Sequence, residues 1–181
     1  MLSTQLLSEA FGRIQEVVHD VLQGASTEVL EFRADPRANT VAWLVWHLTR
    51  VQDDHIAELM GEEQEWNAGG WVDRFDLPFD PGATGYGQSP ADVAAVPPDA
   101  ELLAAYYDAV HARTIDYLRT LTDGDFARVV DRSWTPAVTL AVRVVSILSD
   151  DLQHAGQAAY ARGLADRAGT EPARTKRPKT S

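Results

Sequence analysis

At 181 residues, with 45% hydrophobic and 24% charged side chains, the chain is long enough for one domain with its own core and leaves little room for a second. The absence of cysteine excludes disulfide frameworks, Cys-ligated zinc, iron–sulfur clusters and a cysteine nucleophile, and leaves the redox compartment open. A formal net charge of −11 argues against a general nucleic-acid binder, which needs clustered Lys and Arg to neutralise phosphates.

In chain order, the segment from Met1 to Asp20 carries charge from Glu9 onward and lacks a basic stretch followed by an apolar block, so no secretory signal is expected. Its Leu7, Phe11, Ile14, Val18 and Val21 alternate spacings of four and three, which predicts a helix ending near Gly24. A second helix is predicted from Asn39 to Met60, with Leu44, Val45, Leu48, Ile56 and Leu59 on its stripe and Gly61 closing it. The longest apolar run, Val41 to Trp46, is far short of the roughly 20 residues of a membrane span. Cytoplasmic localisation with no membrane partner is therefore the default expectation.

Residues 61–98 form a long connection containing Trp66, Gly69-Gly70-Trp71, Pro78, Pro81, Gly82, Gly85-Tyr86-Gly87 and Pro97-Pro98. A loop of this length and aromatic content is not a plain linker. Its aromatics either form a lid over one end of the molecule or plug a hydrophobic gap there. The third helix is predicted over Ala100 to Leu121, along the seam Leu103, Tyr107, Val110, Thr114, Tyr117 and Leu121. The fourth is predicted to open at Thr135-Pro136, a capping residue before a proline, and to run to about Leu164. Four amphipathic helices and no convincing alternating strand predict an all-α four-helix bundle over residues 1–166, with no internal repeat. Residues 167–181 hold five basic side chains against Glu171, a local charge of +4 that leaves −15 on the rest, and read as a disordered basic tail.

Chemistry-bearing residues gather on two of the predicted helices. Asp150 and His154 are four apart, one turn above the other, and Gln157 extends the row. A carboxylate oxygen and an imidazole nitrogen at that spacing can chelate one ion, Zn²⁺ best and Mn, Fe, Co or Ni as alternatives. The same pair also makes an ordinary surface hydrogen bond. His47 borders the apolar face of the second helix, as a further ligand or as a core histidine satisfied by Asp150. His55 is a core histidine, a support for a ligand or an alternative ligand; Asp54 and Asp151 support ligands or are simply solvated. His19 and His111 stand on helices with no matching acid–histidine row and read as structural or exposed.

The pairing of His47-Leu48-Thr49-Arg50 with a late Asp150-x3-His154-Ala155-Gly156-Gln157 resembles the DinB-like superfamily over roughly residues 5 to 165. The resemblance implies a four-helix bundle that binds a divalent metal through His47, Asp150 and His154. Many members carry histidine where this chain has Asp150; the mycothiol-dependent maleylpyruvate isomerase branch is similar to this chain in using an acid there. Within the superfamily the chain looks closest to the actinobacterial mycothiol transferase group. The isomerase's C-terminal domain has no counterpart, so isomerisation itself is not implied.

A three-ligand ion with an open position would hold a low-molecular-weight thiol as thiolate, mycothiol by resemblance, for attack on an electrophilic substrate. Arg50, Trp43 and the 61–98 loop are candidates for holding the thiol or its acceptor; no acid–base catalytic residue is singled out. A metal-dependent hydrolase on the same site and a non-catalytic, stress-related binding protein remain as alternatives. A homodimer is compatible with such a bundle, though no exposed seam in the sequence demands one.

Overall fold

The computed structural model describes residues 3–170. Four long helices dominate: α1 (Ser3–Leu22), α3 (Val41–Met60), α7 (Ala100–Thr120) and α8 (Leu140–Thr170). Short helices fill the connections: α2 (Thr27–Leu30), α4 (Glu65–Ala68), α5 (Trp71–Phe75) and α6 (Pro90–Ala95). In the bundle α1 and α3 each pack against both α7 and α8, so the α3–α8 groove runs along one side. No helix among the described residues is long and apolar enough to cross a membrane.

Local chemistry sets the helix ends. Thr40 accepts a hydrogen bond from Trp43 N at 3.0 Å to start α3, and Gly61, at φ 69°, ends it. Asp99 does the same for α7, accepting from Leu102 N at 2.9 Å. The sequence pattern places the start of the last helix at Thr135-Pro136, and the structure corrects this. Those residues lie in the turn of a small antiparallel hairpin, β1 (Val129–Asp131) with β2 (Val138–Thr139), and the helix begins at Leu140. Thr139 supplies the capping oxygen, accepting from Val142 N at 3.4 Å. The far end also differs, because α8 runs to Thr170 and so includes the first residues assigned to the basic tail. Residues 171–181, the rest of that tail, lie outside the described residues.

The core is formed by Phe11, Ile14 and Val18 of α1, Leu103, Tyr107 and Val110 of α7, Leu140, Val144 and Ile147 of α8, and most of α3. From Val41 to Asp53 α3 is buried on every side. An amphipathic helix of a bundle normally leaves one face in water; here the 61–98 connection covers that face. Trp66 is 2% exposed and meets Phe75 and Tyr106 with ring centroids 5.2 Å away, and Trp46 at 6.4 Å. Burying a side chain of this size stabilises the docked loop by about 2–3 kcal/mol. The first half of the connection is therefore a plug. Its second half, residues 83–88, is different: it lies over His47.

Candidate metal centre

The 3.6-residue period of α3 places Trp43, His47 and Arg50 in one row, and that of α8 places Asp150, His154 and Gln157 in another. Where the two rows face each other, one donor atom from each of His47, Asp150 and His154 lies within 4.8 Å of the other two. Among the described residues no other group of three or more His, Asp or Glu side chains converges in this way. Asp150 Oδ1 is 3.7 Å from His154 Nε2, and the two imidazole rings meet edge to face at 4.7 Å.

Each imidazole is held by its other nitrogen. His47 Nδ1 lies 2.5 Å from the Thr84 carbonyl oxygen, which can only accept, so this nitrogen carries the proton. His154 Nδ1 is 2.9 Å from Gln157 Oε1 and has the same assignment. Both Nε2 atoms are thereby left with lone pairs, as metal ligation requires. Burial pushes the His47 pKa down, aided by His154 and opposed by the Thr84 carbonyl and Asp150, and a lowered value keeps the ring neutral. Asp150 Oδ2 is buried with no hydrogen-bond partner among the described residues. An orphaned carboxylate oxygen beside two imidazoles is an unfavourable arrangement alone and a suitable one for a divalent cation. The donors present therefore fit such an ion.

The loop supplies the remaining wall. Trp43 stacks on His47 at 4.5 Å and donates its indole N–H to Gln88 Oε1 at 2.6 Å. Gly85 passes so close that a Cβ there would overlap the rings of His47 and Trp43, and its φ of 115° suits glycine. Tyr86 meets the His47 ring edge to face at 5.2 Å.

Other candidates are placed elsewhere. His55 lies two turns beyond His47; its Nδ1 accepts from Arg143 Nη1 at 3.1 Å, and it does not join the donor group. Asp54 accepts from Gln64 Nε2 at 2.6 Å. Asp151 is not solvated. It is fully buried, neither oxygen has a hydrogen-bond partner among the described residues, and burial, with the Asp150 charge adding, holds its carboxyl well above the usual range. Arg50, a candidate for holding substrate, is also fully buried. Its guanidinium bonds Gln64 Oε1 at 2.8 Å, the Tyr106 hydroxyl at 3.3 Å and the Ala83 carbonyl at 3.4 Å, and stacks over Trp66. Arg50 thus fastens the loop to α3. His19 pairs with Asp108 at 2.7 Å, and His111 stacks on Tyr107.

Sequence reasoning overlooked three groups. Thr84 acts through its backbone carbonyl, which leaves no side-chain signature. Gln88 holds Trp43, and only a map of the loop's path reveals it. Asp53 is 1% exposed and accepts from Glu65 N at 2.8 Å, Trp66 N at 2.7 Å and the Tyr106 hydroxyl at 2.8 Å. Its place beside Asp54, a residue already singled out, was the available signal.

Comparison with known proteins agrees with this architecture. A model of the DinB superfamily matches residues 10–158. The crystal structure of a conserved protein from Enterococcus faecalis is similar at TM-score 0.85 and 32% identity, covering 92% of this chain and 99% of that one. No curated protein matches the chain. With the family model spanning most of its length and a solved relative sharing its fold, the chain belongs to the DinB superfamily.

Proposed function

We propose that this chain is a metal-dependent S-transferase that activates a low-molecular-weight thiol, mycothiol in the reading the sequence resemblance implies, for attack on an electrophilic small molecule. The observation that carries the proposal is the convergence of His47, Asp150 and His154 from two helices, in a chain with no cysteine of its own. These three side chains would hold the ion, zinc as first assignment with nickel, manganese, iron or cobalt as alternatives, and three protein ligands are the number of a catalytic zinc site with an open position. Bound there, the ion would supply the positive charge that lowers the thiol pKa from about 8.5.

The chain's own residues prepare the donors. The Thr84 carbonyl and Gln157 fix the two imidazole tautomers. Trp43, 5% exposed and stacked on His47, shields that ring from water. Asp150 contributes the one negative charge of the ligand set, so a bound divalent ion keeps net positive charge for the thiol.

The test pairs elemental analysis with thiol consumption. Reconstituted wild type is expected to hold one equivalent of divalent metal and His154→Ala to hold none. Loaded wild type is expected to consume thiol against 1-chloro-2,4-dinitrobenzene, faster with mycothiol than with 2-mercaptoethanol. A wild type that takes up no metal overturns the proposal. Ester hydrolysis by the loaded protein with no thiol consumption replaces it with the hydrolase reading.

A further inference from the structure

Three N–H groups around the donors are tied down, and Gln88 Nε2, though without a partner among the described residues, is buried. Trp43 Nε1 is bonded to Gln88, His47 Nδ1 to Thr84 and His154 Nδ1 to Gln157. Tyr86 is 70% exposed, and its hydroxyl has no hydrogen-bond partner among the described residues, although its ring edge rests on His47. A large exposed aromatic beside a convergent ligand set is an unspent contact surface.

The backbone shows that this placement is specified. Gly85 and Gly87 flank Tyr86 with φ of 115° and 72°, conformations that let the chain turn on both sides of a single side chain. On one side the Thr84 carbonyl is bonded to His47; on the other Gln88 is bonded to Trp43; Arg50 holds the Ala83 carbonyl just before. Tyr86 is thus carried between fixed points at an exposed part of the wall. Of the acids nearby, Asp54 and Asp150 as carboxylates have nothing to donate to a sulfur that carries negative charge, and Asp151 is fully buried; the exposed phenol of Tyr86 has an O–H to offer.

We propose that Tyr86 is the thiol-contacting residue of the centre: its hydroxyl donates a hydrogen bond to the sulfur of the bound thiol, and its ring covers the thiol's adjoining methylene. This rests on the S-transferase reading and adds to it the residue that would select and hold the thiol. Tyr86 ligates no ion in this account, so its removal separates thiol affinity from metal affinity.

The experiment uses the full chain loaded with cobalt(II) under anaerobic conditions and titrated with 2-mercaptoethanol, read by the sulfur-to-cobalt charge-transfer band. Tyr86→Phe is expected to bind cobalt as wild type does and to weaken thiol binding about ten- to a hundredfold, the worth of one hydrogen bond to a charged acceptor. Tyr86→Ala is expected to weaken it further by losing the ring. Unchanged thiol affinity in both variants overturns the role of Tyr86 and leaves the S-transferase reading standing. Loss of cobalt from Tyr86→Phe overturns it by showing a prop for His47. Wild type that binds cobalt but gives no thiol band at any concentration overturns both readings together.

Discussion

Two aspartates, Asp53 on α3 and Asp150 on α8, show how differently a bundle can use the same side chain. Asp53 accepts two backbone N–H groups and a tyrosine hydroxyl, with Arg50 at 3.6 Å and Arg113 at 4.0 Å, so both its oxygens are partnered within the chain, although burial still raises its pKa. Asp150 has one oxygen 3.7 Å from His154 and the other buried without a partner. The first fastens the plug half of the 61–98 connection. The second belongs to a group of three donors that could hold a metal ion. The satisfied buried acid has its explanation within the fold, whereas the unsatisfied one stands in a group that could hold a metal ion.

The sharpest way to break that contrast is to remove each acid in turn, with chelator present. Asp53→Ala strands Arg50 and the amides of Glu65 and Trp66, and is expected to cost about 3 kcal/mol by urea denaturation, as breaking a buried charge pair does. Asp150→Ala is expected to change the metal-free stability by less than about 1 kcal/mol, since no partner is stranded. Equal losses would erase the distinction.

Gly85→Ala tests whether the 83–88 half of the loop belongs with the site. Its Cβ would overlap His47 and Trp43 in a backbone conformation unsuited to alanine. The expected stability loss is about 1–2 kcal/mol, and withdrawal of the Thr84 carbonyl should lower metal affinity about tenfold in competition with a chelator. Undiminished affinity would confine the site to the two helices.

The smallest effect concerns His111, whose Nδ1 is also buried without a partner and which joins no donor group among the described residues. Burial lowers its pKa, with Asp108 opposing and His19 assisting. Below about pH 6.5 the unfolded chain takes up this proton more readily than the folded one. Its contribution is therefore complete above that pH and falls as pH drops towards the folded value. The thermal midpoint of the metal-free protein should decline on acidification from pH 7.5 to 5.5, less steeply in His111→Phe. An unchanged slope would show that a lone unsatisfied nitrogen leaves no titration signature here.

The four long helices were legible because each holds a 3.6-residue apolar pattern over some five turns. The start of α8 was not, since Thr135-Pro136 has the chemistry of a helix start yet is taken up by the β1–β2 turn. The helices α2, α4, α5 and α6 span too few turns for periodicity to register. In the site, the Asp150–His154 spacing could be read directly but is also that of an ordinary surface hydrogen bond, and both His47 and His154 drew most of their weight from resemblance. The burial of Arg50 was not legible, because a lone arginine on an apolar helix looks the same whether it awaits a ligand or anchors a loop, and its partners lie far along the chain.

The donors come from helices separated along the chain by the whole 61–98 connection, α7 and the hairpin. An ion held by His47, Asp150 and His154 would therefore close a circuit of about 100 residues, at a chain-entropy cost that grows only slowly with the length enclosed. Such a centre would be a rivet in addition to the core that the four helices share. A protease cutting the exposed tip of the connection would leave two fragments that separate less readily with the ion bound than after a chelator removes it.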